Sequence, residues 1–371
     1  MLDVMGIINS NDFSDNLGIL SRHRCTAAVL FGARYRLIDF PLSNMVNSGI
    51  RNVGVISSYK YRPLMDHLGA GKHWFLDRKA EGLFLLPGRL QSIRNCSLRF
   101  DLNDLYVNAD YLRNSTQRTV ILSRSNIVCN FNYKDVIDYH RRKDADITMI
   151  YKKLNAETED LSGRISFNID NLSRVFDIQE NTSGYGTTNL FIESMIIEKS
   201  LLLEILENCK YTGKWDLFDI IEENSEELRV YAYRFQGYTG RIYSTSDYYR
   251  CSMELLNPDI RKELFMAKDI IFTKVKDNPP TRYGFTSKIK NTLIGSGCFL
   301  NGEVEDSIIF RGVTIQEGAV VKNSIIMQNC IIGPNVVLEN AILDKSIVMQ
   351  EGTVLKGNPV FPTVVEKEII I

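Results

Sequence analysis

Long apolar runs, closely paired cysteines and an excess of charge are all missing from this sequence of 371 residues. No stretch approaches the roughly 18 apolar residues of a membrane span, and the opening MLDVMGIINSND has neither the basic segment nor the apolar length of a secretory signal. The seven cysteines are dispersed, which favours reduced thiols in a cytoplasm. The net charge of −1 argues against nucleic acid or an anionic membrane as a partner. We therefore expect a cytoplasmic protein that binds neither.

The region up to residue 256 alternates apolar strand segments with helical patterns. Such alternation predicts βαβ units and an α/β domain with a Rossmann-like, mostly parallel sheet. Apolar runs on either side of Asp170 and Asn171 predict one antiparallel hairpin within it. The predicted strands with parallel-sheet character are Val4–Ile8, Asn52–Ser57, Thr119–Leu122 and Asp146–Tyr151.

The carboxyl-terminal region carries a different repeat, in which an apolar residue recurs every six positions. A six-residue period is neither helical nor that of an amphipathic strand, and it predicts a hexapeptide β-helix. We therefore divide the chain into an α/β domain at 1–256, a linker at 257–290 and a β-helix at 291–371. The eight repeated positions are Val313, Ala319, Ile325, Ile331, Val337, Leu343, Met349 and Leu355.

The segment GARYRLIDFPLSNMVNSGIRNVGVI, at 32–56, carries the clearest motif in the chain. It resembles the glucose-1-phosphate adenylyltransferase (ADP-glucose pyrophosphorylase) family, whose catalytic members have the form G-G-K-F-R-I-I-D-F-x-L-S-N-x-x-N-S-G-I. The resemblance spans nearly the whole chain. It implies an α/β nucleotidyltransferase domain followed by a left-handed hexapeptide β-helix.

The loop after the first strand lacks the glycines that a nucleotide-binding loop needs for its N–H groups to approach phosphates. Where catalytic relatives have G-G-x-G-x-R-L, this chain has Asn9, Ser10, Asn11 and Asp12. A G-T-A segment that contacts the nucleotide in relatives has its counterpart around Asp101, whose charge would repel phosphates. We interpret these five residues as a vestigial nucleotide loop. An ordinary polar loop is the alternative.

Two aspartates that bind Mg²⁺ in catalytic relatives are also replaced. The resemblance places Ser125 at the aspartate of A-G-D-H and Ile242 at that of D-V-G-T. In the family reaction a sugar phosphate attacks the α-phosphate of ATP, and carboxylate-held Mg²⁺ offsets the developing charge. Neither residue can hold that ion, so we expect no metal, no cofactor and no catalytic residue in this chain.

This pattern resembles the non-catalytic, GlgD-type branch of the family most closely. The resemblance implies a regulatory, catalytically weak or inactive subunit for glycogen biosynthesis. It also implies a heterotetramer with a catalytic subunit, and it implies that this partner holds the Mg²⁺.

An arginine cluster near the start is the candidate effector site. Positions matching Arg24 and Arg36 help bind phosphorylated sugar effectors in the family, and Arg34 lies between them in the sequence. Thr26 replaces a family lysine, which weakens that interpretation. Alternatively, Arg36 pairs with Asp39 or another domain and only orders the fold.

Three other functions are compatible with parts of this sequence. Hexapeptide acyltransferases use a histidine base, and none of the four histidines lies in the predicted β-helix, which argues against that class. A homo-oligomeric sugar-phosphate sensor remains open. So does an active nucleotidyltransferase whose unusual metal site draws on six other aspartates: Asp3, Asp101, Asp104, Asp110, Asp216 and Asp219.

Overall fold

The computed structural model describes residues 3–11, 15–57, 59–89, 99–155, 161, 163–180 and 186–371. Asp12, one of the predicted loop residues, lies outside them. Among the described residues no helix is long and apolar enough to cross a membrane.

The amino-terminal domain is built on one large sheet with helices on its faces. Its strands are β1 (Val4–Asn9), β2 (Leu30–Phe31), β3 (Tyr35–Arg36), β4 (Asn52–Ser57), β5 (Gly82–Pro87), β6 (Thr119–Arg124), β7 (Ile127–Val128), β8 (Ile147–Asn155), β9 (Ile165–Ile169), β10 (Val175–Glu180), β11 (Thr187–Glu198), β12 (Val230–Arg234) and β13 (Gly240–Arg241). Its helices are α1 (Asp39–Asn47), α2 (Arg62–Leu68), α3 (Asn103–Val107), α4 (Ala109–Asn114), α5 (Lys134–Arg142), α6 (Lys199–Thr212), α7 (Leu217–Glu223), α8 (Thr245–Glu254) and α9 (Pro258–Phe265).

The sheet has the parallel centre that the sequence predicts. β1 lies between β4 and β6 and runs parallel to both, and β5 pairs in parallel with β4. β11 is antiparallel to both β6 and β8. The predicted hairpin is confirmed as β9 and β10. The central strands are apolar on both sides because two buried clusters cover the two faces.

The carboxyl-terminal domain is a left-handed β-helix, as predicted, with three five-stranded parallel sheets. Its strands are β14 (Arg282–Tyr283), β15 (Lys288–Lys290), β16 (Leu293–Ile294), β17 (Phe299–Leu300), β18 (Glu303–Glu305), β19 (Ile308–Ile309), β20 (Thr314–Ile315), β21 (Val320–Lys322), β22 (Ile325–Ile326), β23 (Ile331–Ile332), β24 (Val337–Glu339), β25 (Ala341–Leu343), β26 (Val348–Met349), β27 (Val354–Lys356) and β28 (Thr363–Val365).

The β-helix begins earlier than residue 291. α9 and the first two coil strands all lie within 257–290, the segment that the sequence assigned to a linker. The apolar repeat does not reveal this first coil because its strands face solvent at the open end. Arg282, Tyr283, Lys288 and Lys290 are all exposed.

The coils are mostly 17 residues long, so a column of every sixth residue does not stay on one face. Thr314 pairs with Ile331, and Ile331 pairs with Val348, each 17 positions on. Ile331 is consequently 41% exposed, whereas the next residue, Ile332, is 0% exposed. The β-helix prediction is confirmed, but the six-residue column does not stay in its interior, because Ile331 lies on the exposed side of its strand.

One face of the β-helix docks on the amino-terminal domain. Ile308, Ile325 and Ile342 stack at equivalent positions of successive coils. They share a buried cluster with Phe31 and Tyr248 of the first domain. The two domains therefore pack against each other through one continuous apolar interface.

Candidate functional site

The candidate site lies at the carboxyl edge of the parallel strands, where ligands bind in open α/β sheets. Asn9 ends β1, and it lies opposite Ile56 of β4 on one side and Arg124 of β6 on the other. The loops that follow β1 and β6 therefore meet here. These loops hold the predicted nucleotide residues and the first replaced metal position.

Side chains fill the loop after β1. The Asn11 amide donates hydrogen bonds to both carboxylate oxygens of Asp104 at 2.9 and 3.1 Å, and the Asn9 amide donates to the same carboxylate at 3.4 Å. The Ser10 hydroxyl donates to the carbonyl of Ile56 at 2.7 Å. The loop is thus held by its own side chains and contacts a buried negative group, which disfavours a phosphate at the same place.

Asp104 is the central acceptor of this network, and the sequence had indicated it only as one of the alternative metal ligands. Burial raises the pKa of its carboxyl, while hydrogen bonds from the Arg89 backbone and Asn11 lower it. Asp101 does not join the loop residues. Its carboxylate accepts hydrogen bonds from the backbone and side chain of Asn103 at 2.8 and 2.7 Å, at the start of α3.

The two positions that lack metal carboxylates are brought together. The backbone N–H of Ile242 donates to the carbonyl of Asn126 at 2.8 Å, and Arg241 pairs with Ile127 between β13 and β7. Ser125 and Ile242 are both fully buried. The Ser125 hydroxyl has no hydrogen-bond partner among the described residues. An aliphatic side chain and one buried hydroxyl do not fit a Mg²⁺ ion, which needs carboxylate oxygens.

A partly buried ion cluster lies beside these two positions. The residue before Ser125 is Arg124 and the residue before Ile242 is Arg241, and both arginines pair with Glu193. The Nε atoms lie 3.4 Å from one carboxylate oxygen each, and the Glu193 side chain is only 7% exposed. Two guanidinium groups therefore supply positive charge next to the two positions at which the family resemblance places metal-binding aspartates.

Glu193 is held in an unusual backbone conformation. Its φ is +55°, in the left-handed region that non-glycine residues adopt rarely. It lies where the register of β11 against β8 shifts, between Phe191 and Met195. This irregularity turns Glu193 towards the arginines. Sequence reasoning missed Glu193, because nothing in its local sequence indicates a bulge.

The three arginines of the predicted effector site do not form one open cluster. Arg24 is buried, and its guanidinium donates to both carboxylate oxygens of Asp344 in the β-helix at 2.8 and 2.6 Å. Arg36 donates to two backbone carbonyls, and its backbone N–H donates to Asp39 at 2.9 Å. Arg34 is exposed. The contact between Arg24 and Asp344 joins the two domains and leaves this guanidinium little capacity for an added anion.

The alternative metal aspartates are also engaged elsewhere. Asp216 caps α7 by accepting the N–H of Phe218 at 2.8 Å, and burial raises the pKa of its carboxyl. Asp219 contacts Arg99. Asp110 pairs with Arg113, and Asp3 pairs with Arg118. In the part of the chain that the structure describes, no three His, Cys, Asp or Glu residues are grouped as metal ligands.

Two family models match the chain. A nucleotidyl transferase model matches residues 16–234, and a model described as GlmU-like, C-terminal hexapeptide matches residues 279–360. The second match agrees with the early start of the β-helix.

Three relatives illustrate the similarity. The glycogen biosynthesis protein GlgD of Bacillus subtilis is 34% identical over 327 residues, covering 86% of this chain and 82% of the relative. The GlgD protein of Geobacillus stearothermophilus is 36% identical with the same coverage. Glucose-1-phosphate adenylyltransferase of Thermotoga maritima is 32% identical, covering 87% of this chain and 77% of the enzyme.

Proposed function

This chain belongs to the glucose-1-phosphate adenylyltransferase family, with similarity to its GlgD glycogen biosynthesis proteins, and from that premise we propose that it is a catalytically inactive regulatory subunit. Its role is in glycogen biosynthesis. It modulates the formation of ADP-glucose from ATP and glucose 1-phosphate by a catalytic subunit, in a heterotetramer whose Mg²⁺ is held by that partner. The observation that carries this proposal is the adjacent burial of Ser125 and Ile242, with no carboxylate at either position.

Without carboxylates at these two positions, the chain cannot hold the divalent cation on which the reaction depends. When pyrophosphate leaves the α-phosphate, negative charge develops on phosphoryl oxygens, and a bound divalent cation stabilises it by several kcal/mol. A loss of about 4 kcal/mol corresponds to roughly three decades of rate. The filled loop at Asn9 and Asn11 adds a second obstacle, because their amides and the Asp104 carboxylate occupy the phosphate side of the site.

The surface of the β-helix supports a role through a partner. Several large apolar side chains of its last coil are exposed: Val354 at 62%, Val360 at 63%, Phe361 at 71% and Ile370 at 67%. Exposed apolar groups at the open end of a β-helix are typical of surfaces that another subunit covers. We place the complex in the cytoplasm, in keeping with the six described cysteines, which are all free thiols.

The first test is the activity of the isolated chain. We expect negligible ADP-glucose formation from ATP and glucose 1-phosphate with Mg²⁺ present. Ser125→Asp combined with Ile242→Asp should not restore it, because the loop after β1 stays filled and Arg124 and Arg241 lie beside the new carboxylates. Turnover by the wild-type chain within tenfold of a catalytic relative would show that it is an enzyme with another metal site.

The second test is titration of this chain into a catalytic subunit. A regulatory subunit should form a larger mixed complex and change the partner's apparent affinity or maximal rate, saturating at a fixed ratio. Measurements of complex mass and ADP-glucose formation on the same samples follow both effects. Separate elution with unchanged kinetics would contradict the proposal and favour a homo-oligomeric sensor.

A further inference from the structure

The ammonium group of Lys345 is a cation at the domain interface that the fold leaves without a counterion. Lys345 follows β25, and its side chain is partly buried. Its backbone N–H donates to the Asp344 carboxylate at 2.8 Å, but its ammonium group forms no hydrogen bond or ion pair within the part of the chain that the structure describes. Both oxygens of Asp344 accept hydrogen bonds from Arg24. The carboxylate beside Lys345 is therefore already occupied.

Three further cations lie near this ammonium group. Strand pairing between β25 and β28 places Lys345 and Lys367 at equivalent positions of successive coils, and paired strands are about 4.8 Å apart. Arg24 and Arg36 approach from the first domain. The Arg36 guanidinium donates to two backbone carbonyls, which carry no formal charge. Among the groups that act on Lys345, three cations therefore outnumber one carboxylate, that of Asp344.

The other carboxylates near this interface are engaged elsewhere. Glu366 contacts two cationic side chains of the first domain. Asp39 lies 2.6 Å from His67, and the exposed Glu368 lies 3.4 Å from Lys367. The positive charge around Lys345 therefore stays uncompensated.

The surroundings favour the neutral form of this amine. Burial, together with Arg36 and Arg24, lowers the pKa of Lys345 to about 8. At pH 7 about one such amine in ten is neutral, against fewer than about one in a thousand for a lysine of ordinary pKa. A neutral amine is a nucleophile, and proteins use desolvated lysines in this way. Because the side chain is also partly exposed, a small electrophile can reach it from solvent.

The surrounding charge selects among electrophiles. An acyl donor would convert the amine to a neutral amide, which gives the nearby cations no counterion. Carbon dioxide converts it to a carbamate anion, so a positive charge is replaced by a negative one. The two carbamate oxygens can accept charge-assisted hydrogen bonds from cations such as Arg36 and Lys367. Carbon dioxide therefore fits this environment better than an acyl group does.

We propose that Lys345 is a site of reversible carbamate formation with carbon dioxide. The lone pair of Nζ attacks the carbon atom, an N–C bond forms, one C–O π bond breaks so that its electron pair passes to oxygen, and the nitrogen loses a proton to water. The product is an Nζ–COO⁻ group, and no oxidant or metal is consumed. Loss of carbon dioxide on reprotonation restores the amine. The proposal goes beyond the regulatory role, because it concerns this chain alone and needs no catalytic subunit.

The carbamate also has a structural consequence. Lys345 belongs to the β-helix, whereas Arg24 and Arg36 belong to the first domain, so the new anion contacts cations of both domains. These cations surround the amine only in the folded chain, and a modification that favours the folded state stabilises it by mass action. We therefore expect carbon dioxide to raise the thermal stability of the single chain.

Carbon-13 NMR of the isolated full chain at pH 8, in buffer equilibrated with ¹³C-labelled carbon dioxide and bicarbonate, tests the chemistry. Wild type should show a carbamate resonance that is separate from those of free carbon dioxide and bicarbonate. Trapping with triethyloxonium, followed by peptide mass spectrometry, should locate the ethyl carbamate on Lys345. No carbamate at Lys345 under saturating carbon dioxide, or trapping at Lys367 in its place, would overturn the proposal.

Variants show whether the surrounding charge creates the site. Lys345→Arg should abolish the trapped product, and Lys367→Gln, at a partly exposed side chain, should lower its occupancy at least about threefold by removing a cation beside the carbamate. Lys290→Arg is the matched control, because Lys290 is an exposed β-helix lysine that already pairs with Glu305. Unchanged occupancy in Lys367→Gln, or equal trapping at Lys290 and Lys345, would show that the cluster does not build a specific site.

Thermal unfolding provides a readout that distinguishes a covalent carbamate from a bound bicarbonate ion. At constant pH and ionic strength, carbon dioxide should raise the Tm of wild type by about 2 °C or more, and it should leave Lys345→Arg and Lys345→Met unchanged. Lys345→Arg keeps the positive charge, so an equal rise in that variant would indicate bicarbonate binding and refute the carbamate. All measurements use the single chain, so a negative result leaves the regulatory proposal to its own mixing test.

Discussion

Ile331 and Ile332 are adjacent isoleucines with opposite environments, and exchanging each for aspartate tests the 17-residue coil. Ile332 is 0% exposed and is aligned with Ile315 and Met349 of the neighbouring coils. Loss of a buried isoleucine side chain costs about 2–5 kcal/mol, and a buried carboxylate without a partner adds about 1–3 kcal/mol or more. We therefore expect Ile332→Asp to cost at least ~3 kcal/mol, and Ile331→Asp, at a 41% exposed side chain, less than about 1 kcal/mol.

Thermal unfolding followed by circular dichroism measures this difference. At about 2–4 °C per kcal/mol for a domain of moderate size, Ile332→Asp should lower Tm by roughly 10 °C, and Ile331→Asp by about 2 °C or less. Ile332→Ala provides a milder change if the aspartate variant does not fold, and Ile331→Ala is its matched control. Equal losses at the two positions would refute the side-chain alternation of β23, and with it the 17-residue repeat.

Two further predictions concern the domain interface. Asp344→Asn leaves the buried Arg24 without its counterion and should cost about 3–5 kcal/mol in urea unfolding. Glu366→Gln, whose partners Arg22 and His23 are much more exposed, should cost less than about 1 kcal/mol. Equal costs would contradict the burial of the first pair. Burial and nearby arginines lower the pKa of Lys345 to about 8. Between that pH and the ordinary lysine pKa of 10.5 the unfolded chain keeps a proton that the folded chain has lost, so stability should rise from pH 8 to 9.5. Lys345→Met should be more stable than wild type at pH 7, by on the order of 1 kcal/mol, and its stability should rise less between pH 8 and 9.5. An identical pH profile in the two proteins would show that Lys345 does not cause the rise in stability.

The fold was largely predictable from the sequence. Both the strand–helix alternation of the first domain and the six-residue repeat of the second leave local apolar patterns. The β-helix shows where such a pattern stops being informative. Three six-residue steps advance 18 residues, one more than the 17-residue coil, so the six-residue pattern shifts by one position in each coil. It still meets apolar side chains, because Ile325 and Ile326, like Ile331 and Ile332, are adjacent apolar residues. Coil length depends on how many residues each corner takes, and this emerges only from strand pairing.

The candidate site was predictable only where a motif marks it. Ser125 and Ile242 follow recognisable segments, and the structure brings them together. Glu193 could not be found in this way, since its position depends on an irregularity in β11. The pairing of Arg24 with Asp344 joins residues 320 positions apart, so the sequence could not predict it. In this pair Arg24, the predicted effector arginine, is buried.

The ion cluster explains why carboxylates alone should not recreate a metal site. Arg124 and Arg241 already bring two positive charges to this edge of the sheet, and Glu193 offsets one of them. A new aspartate at position 125 or 242 would lie next to a guanidinium in sequence and would pair with it before it could hold a divalent cation. A cation entering the same space would be repelled by both arginines at short range, where burial reduces screening. We therefore expect the arginines, as well as the missing carboxylates, to disfavour Mg²⁺ at this edge of the sheet.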